Sequence, residues 1–262
     1  RYVVDADIKG YFDHIPHERL MQRVQERVAD SRVLELVEHY LNQGVLDGAK
    51  QWTPEEGTPQ GAVISPLLAN IYLNPLDHIM AQRGYEMVRY ADDFVILCRT
   101  EEQAHEALRV VEEWMQANGL TLHPEKTRIV DGNREGFDFL GYHFHFRKNK
   151  KWPSRKSTRK FRDHIRPKTK RANGYSMSEL IGKLNPILRG WFEYFKHTSR
   201  QDMSHADGYV RDRLRAILRK RRRRCGRASQ PDRQRWNKQH FLQLGLFSLE
   251  EAYNAACQSS TR

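Results

Sequence analysis

The sequence predicts an α+β fold: an antiparallel sheet with packed helices, followed by an α-helical bundle. Two observations predict it. Short strand-like runs alternate with amphipathic helices up to about residue 150, and helical periodicity dominates afterwards. The charge changes sign at the same place. Residues 1–146 hold 14 Lys/Arg against 24 Asp/Glu, net −10, whereas residues 147–240 hold 30 against 7, net +23. A break near 147–155 therefore divides the 262 residues into one domain over 1–150 and a helical one over 151–262 with a basic tail.

The first run alternates, with Val4, Ala6 and Ile8 on one face and Asp5, Asp7 and Lys9 on the other, which reads as a half-buried strand ending at Gly10. Residues 17–43 carry apolar residues at helical spacing, with Asp30-Ser31 capping a second helix. Gly57-Thr58-Pro59-Gln60-Gly61 is a loop, and Ser65-Pro66 supplies an N-cap and a first-turn proline for the helix after it. Pro75 is expected to kink or end that helix. Strand signals on both sides of Tyr90-Ala91-Asp92-Asp93 predict a hairpin. Thr100 to Gln103 is a capping box for a helix ending at Gly119. Alternating aromatics from Phe137 to Phe146 predict a second hairpin around Gly141. A capping box at Ser176 to Glu179 opens a long helix in which Pro186 should mark a kink, and another helix runs from about Ser204 to Arg222.

Composition narrows the function. A net charge of +12 with 30% charged residues points to a polyanion partner, and no apolar run approaches the roughly 20 residues that span a bilayer. Cys98, Cys225 and Cys257 are scattered and odd in number, which argues against a disulfide framework or a zinc site and suits a cytoplasmic setting.

An Asp-Asp pair alone is ordinary turn chemistry. Asp7, however, ends a strand 85 residues before Asp92. Were the fold to join Asp7, Asp92 and Asp93, the cluster would repel itself unless divalent metal sat between the carboxylates. Asp5 shares the face of Asp7 and is its rival for that role.

Several motifs then occur in the order and spacing of reverse transcriptases. They are Asp7-Ile-Lys-Gly-Tyr-Phe-Asp13, Gly57 to Gly61 followed by Ser65-Pro-Leu-Leu-Ala-Asn70, Tyr90 to Asp93, and Phe139-Leu-Gly-Tyr142. Leu188-Arg-Gly-Trp-Phe-Glu-Tyr194 resembles a thumb, the maturase domain, so the chain most resembles a group II intron reverse transcriptase/maturase over about residues 1–235. The resemblance implies a right-hand polymerase palm followed by a thumb. It implies RNA-directed DNA synthesis from dNTPs onto a primer 3′-hydroxyl, assisted by two Mg²⁺ ions (or Mn²⁺), with a part in intron splicing and retrohoming. Partners would be the intron RNA, an RNA template with its DNA primer, and dNTPs, in a nucleoid- or ribonucleoprotein-associated bacterial protein.

By the same resemblance, Asp7, Asp92 and Asp93 are catalytic and hold the metal, and Lys126 protonates departing pyrophosphate. Ile8, Phe12, Gln60 and Gly61 attend nucleotide and template, with the Phe12 ring excluding a 2′-hydroxyl. Gly141 and Tyr142 grip the primer, and Lys150, Lys151, Arg155, Lys156, Arg159 and Lys160 bind nucleic acid. The family places its fingers upstream of this first strand, so the chain is expected to be the palm and thumb of a longer protein. With so few cysteines, no zinc-bearing endonuclease is expected. The competing readings are an RNA-binding splicing cofactor without polymerase activity and another bacterial reverse transcriptase (retron, diversity-generating or CRISPR-associated). The intact carboxylates favour the polymerase and the maturase-like thumb favours the intron.

Overall fold

Val4, Ala6 and Phe94 leave water completely or nearly so because β1 (Tyr2–Asp7) and β5 (Asp93–Cys98) pair antiparallel at the centre of a sheet backed by helices. In the computed structural model, residues 2–43, 45–47, 50–52, 56–58, 62–224, 226 and 228–259 are described, those of 45–47 and 50–52 by their backbone alone. The sheet order is β4-β5-β1-β6, with β4 at Glu86–Tyr90 and β6 at Arg128–Asp131. Helices α1 (His17–Gln25), α2 (Ser31–Leu41), α3 (Ser65–Gln82) and α4 (Glu101–Ala117) contribute to its apolar core. Between α2 and α3 lies a hairpin of β2 (Val45–Asp47) and β3 (Lys50–Trp52), and β7 (Phe137–Phe139) follows β6.

Strand β1 is buried on both faces at Val3 and Val4, which are fully covered, and is partly open at Tyr2, Asp5 and Asp7. Helix α3 runs unbroken through Pro75, because Tyr72, Leu73, Leu76 and Met80 are all locked in the core on either side of it. The residue before it in cap position is Ile64 rather than Ser65, whose hydroxyl instead lies 3.3 Å from Tyr40 Oη.

The chain divides into two compact units, Arg1–Phe139 and Leu140–Arg262, so the charge break at 147–155 lies inside the second. That unit begins with the hairpin β8 (Tyr142–His145) and β9 (Lys150–Pro153). Helices α5 (Arg155–Lys168), α6 (Met177–Phe195) and α7 (Arg200–Arg221) then bury Phe161, Ile165, Leu184, Leu188, Leu214 and Ile217 together. Pro186 lies within α6 without ending it. Helix α7 starts at Arg200 because Ser199 and Asp202 form a capping box, and the basic run Lys220 to Arg224, which begins in its last turn and passes beyond it, is followed by further helices. These are α8 (Gln230–Arg235), α9 (Lys238–Gln243) and α10 (Leu249–Ser259). The buried Asp207 of α7 accepts from Ser248 Oγ (2.7 Å) and from the backbone of Leu249 (3.0 Å), so it caps α10. Among the described residues no helix is long and apolar enough to cross a membrane.

Candidate active site

Asp7 and Asp93 are directly opposite in the β1–β5 ladder, and Asp92 precedes Asp93 in the turn from β4. Residues opposite each other on antiparallel strands share a face, so two carboxylates from distant segments are forced together. Burial is the main influence that pushes the Asp93 carboxyl up to about 6, reinforced by the charges of Asp5, Asp7 and Asp92 and opposed by Lys126. Asp92 is raised too, by burial first and then by Asp7. Asp5, the rival, faces Arg128 across β1–β6 and accepts two hydrogen bonds of 3.1 Å from its guanidinium. Its carboxylate is committed to that cross-strand pair.

Lys126 reaches Asp7 because the chain past β1 is clasped by residues 121–127. Lys9 N donates to Thr121 O (2.9 Å) and His123 N to Asp7 O (2.8 Å), after which a turn closes with Thr127 N on His123 O. Lys126 Nζ then lies 2.5 Å from Asp7 Oδ2, and this contact raises the lysine's affinity for its proton.

The donor set is wholly anionic oxygen, which suits a hard cation such as Mg²⁺. Among the described residues no three carboxylate, imidazole or thiol side chains already converge tightly enough to hold an ion, and the ammonium of Lys126 provides the positive charge beside Asp7. The residues fit a divalent metal by the chemistry of their donor atoms, and the repulsion among Asp7, Asp92 and Asp93 is only partly offset by Lys126.

Sequence reasoning missed what holds the turn. Arg89 Nε and Nη2 clamp both oxygens of Asp77 in α3 (2.8 and 2.5 Å), while Nη1 donates to Asn70 Oδ1 (2.9 Å) and to Ala91 O (3.0 Å). Asn70 belongs to the Ser65 to Asn70 motif, so one side chain ties that motif to the Asp-Asp turn. The available signal was a lone arginine in the strand entering the turn.

Among the residues expected at the nucleotide, the half-buried Phe12 stacks edge-on against Tyr11, with ring centroids 5.5 Å apart. Ile8 is buried in the core and offers only its backbone to a ligand. Gly57 N donates to Ile15 O and Thr58 N to Phe12 O (2.8 and 2.6 Å), which brings the Gly-Thr segment onto Phe12. Gln60 and Gly61 lie outside the described residues.

In the second unit, Leu140 and Gly141 both take left-handed φ values (47° and 77°), and Ser157 Oγ donates to Gly141 O at 2.8 Å. Tyr142 Oη donates to Tyr194 O (2.5 Å), and Tyr194 Oη returns a bond to Leu140 O (2.7 Å). The Leu-Gly-Tyr segment is thereby bound to the Leu188 to Tyr194 motif. Lys151 sits over the Tyr142 ring at 5.5 Å. The six basic candidates separate: Arg155 and Arg159 line one cavity, Lys150 and Lys151 another, and Lys156 and Lys160 are exposed outside both.

Residues 1–144 match the reverse transcriptase (RNA-dependent DNA polymerase) family, and residues 158–239 match the group II intron maturase-specific domain. The chain belongs to the group II intron reverse transcriptase/maturase family. It is 32% identical over 180 residues to protein YkfC of Escherichia coli (strain K12), covering 54% of this chain and 46% of YkfC. It is 40% identical over 82 residues to the group II intron-encoded protein LtrA of Lactococcus lactis subsp. cremoris, covering 31% of this chain and 14% of LtrA. The matched part thus spans less than half of either relative. The fold is similar to a telomerase from Candida albicans in complex with an RNA fragment, with a TM-score of 0.51, 12% identity, and coverage of 81% of this chain and 43% of that one.

Proposed function

We propose that this chain is the catalytic part of an RNA-directed DNA polymerase of a group II intron, which extends a primer 3′-hydroxyl with dNTPs and assists its intron RNA in splicing and retrohoming. The observation that carries the reading is the pairing of Asp7 with Asp93, with Asp92 in the adjoining turn. Asp7, Asp92 and Asp93 would hold two Mg²⁺ ions, or Mn²⁺, whose charge stabilises the attacking and leaving oxygens of an in-line displacement. The β1–β5 pairing and the Arg89 clamp keep the carboxylates from splaying apart, so their repulsion is available for cation binding.

Lys126 carries its proton at Nζ, held the more tightly for lying beside Asp7, and would become the better donor to departing pyrophosphate once that carboxylate turns to a metal ion. Phe12 would lie under the incoming sugar, where a ring leaves no room for a 2′-hydroxyl. Gln60, Gly61 and the Ile8 backbone would contact nucleotide and template. Gly141 and Tyr142 would hold the primer end, and Lys150, Lys151, Arg155, Lys156, Arg159 and Lys160 would bind template–primer and intron RNA. The setting would be a cytoplasmic ribonucleoprotein.

Primer extension on an RNA template with dNTPs and Mg²⁺ tests this in the full-length protein. Extension should occur in the wild type and vanish in Asp7→Ala and Asp92→Ala, with RNA affinity nearly unchanged. Extension that survives either change would overturn the assignment.

A further inference from the structure

Along α5, Arg155, Arg159, Arg162 and Arg166 recur at intervals of four, three and four, which places them on one helix face. All four line a cavity of about 740 Å³ within the second unit, together with Trp191 of α6 and Tyr209 of α7. That size lies within the range of small-ligand sites, roughly 300–1,000 Å³. Its wall includes Trp152, which also lines a neighbouring cavity of about 680 Å³ containing Lys150 and Lys151.

The polar character of the cavity is one-sided. Arg159 and Arg166 lean on Asp163, at 3.9 and 2.8 Å. Among the described residues, neither Arg155 nor Arg162 has a carboxylate partner, and the Arg162 guanidinium lies over the Tyr209 ring at 5.3 Å. The cavity's own carboxylate, Asp202, is engaged at the N-terminus of α7 by Ser199 Oγ (2.6 Å) and Thr198 Oγ1 (2.8 Å). Trp191 Nε1 and Tyr209 Oη are both buried without an acceptor. An unmade bond at a buried donor is unfavourable, so this region is short of acceptors and of negative charge.

We infer that the cavity receives a single unpaired nucleotide of a bound nucleic-acid strand. Its phosphates would lie on Arg155 and Arg162, and its flat base would enter among Trp152, Trp191 and Tyr209, bringing acceptors to a wall of donors. The inference deepens the reading of this unit as a nucleic-acid-binding one and rests on it. A continuous A-form duplex offers phosphates and 2′-hydroxyls over a broad surface but no free base to enter a hollow, whereas unpaired bases are recognised by stacking and edge contacts.

Fluorescence anisotropy with the full chain tests it, using two RNA hairpins of identical stem, one with a single-nucleotide bulge, and their DNA counterparts. Wild type should prefer the bulged RNA or DNA by at least about fivefold. Arg162→Gln combined with Tyr209→Phe should bring that ratio to about one while affinity for the paired hairpin changes less than about threefold. Should the double variant unfold, Arg162→Gln alone, at an exposed position, carries the same expectation. No preference in the wild type, or one untouched by the variants, overturns the inference. So does displacement of both hairpins alike by an acidic peptide, which would assign the cavity to an anionic protein segment. Primer extension run on the same preparations separates the two readings: a bulge preference without extension leaves this inference standing and removes the polymerase.

Discussion

Arg89 Nη1 donates to the carbonyl oxygen of Ala91 at 3.0 Å, so a side chain near the end of strand β4 holds the bend that presents Asp92. Ala91 needs holding, since its φ of 54° lies in the left-handed region, which costs a non-glycine residue about 1–2 kcal/mol. Asp77 completes the clamp, and the Arg89 side chain is only 11% exposed. Arg89→Ala strands Asp77 half-buried and should lose about 3 kcal/mol in urea unfolding. Arg89→Lys keeps the charge but lacks the planar fork, so it should recover less than half of that loss. Extension should fall in both variants under conditions where both remain folded. Full activity in a folded Arg89→Ala would separate the clamp from the site.

Asp93 has a folded-state pKa of about 6, above the 3.8 of an unperturbed aspartate. Between those values the folded chain binds more protons than the unfolded one, so the contribution to stability is present below pH 4 and is lost as pH rises towards 6. Above pH 6 the charged cluster is a fixed penalty. Asp93→Asn removes it. In metal-free protein the melting midpoint at pH 7.5 should rise by roughly 2 °C, with a smaller difference at pH 4. Mg²⁺ should stabilise the wild type more than the variant, and extension should be lost. Superimposable pH profiles would exclude Asp93 from the cluster.

Gly57 has φ 89°, and a Cβ built there would meet Asp13 O at 2.7 Å and Phe12 O at 2.8 Å, both backbone atoms that cannot turn aside. Gly57→Ala should therefore cost roughly 2–4 kcal/mol in thermal or urea unfolding. Because Thr58 N is bonded to Phe12 O, the displacement carries to the proposed sugar floor. The KM for dNTPs should rise more than kcat falls. An unchanged KM would mean that the loop supports the fold without shaping the nucleotide site.

What could be read from the sequence was local. The alternation of β1 placed Asp5 and Asp7 on one face, and Ser176 with Glu179 announced a capping box that the structure closes with bonds of 2.6 and 3.2 Å. What could not be read depends on partners far along the chain. Asp207 caps a helix that begins 42 residues later. Arg89 meets Asp77 only once β4 lies against α3. Pro75 shows the limit of a local rule, since packing on both sides of it outweighs the missing amide bond. A basic run such as Lys220 to Arg224 reads from sequence as a solvated stretch. Arg219 in fact pairs with the buried Asp232, and Arg222 covers the Trp236 ring at 5.2 Å.

Lys156, Arg159 and Lys160 lie within five consecutive positions of α5, yet only Arg159 faces the cavity. If all three meet phosphates, each contact releases condensed counterions, and the slope of log K against log salt steepens by about 0.7 to 0.9 per contact. Replacing all three with Gln should make the slope for RNA shallower by about 2 while leaving the fold intact, because none of the three side chains is buried. Restoring Arg159 alone should recover about one unit of slope and, through its place in the cavity wall, more affinity for unpaired than for paired RNA. Measuring the affinity between about 50 and 200 mM salt decides it. A slope unchanged in the triple variant would remove this face of α5 from the binding surface and leave the β8–β9 hairpin, with Lys150 and Lys151, as the principal contact.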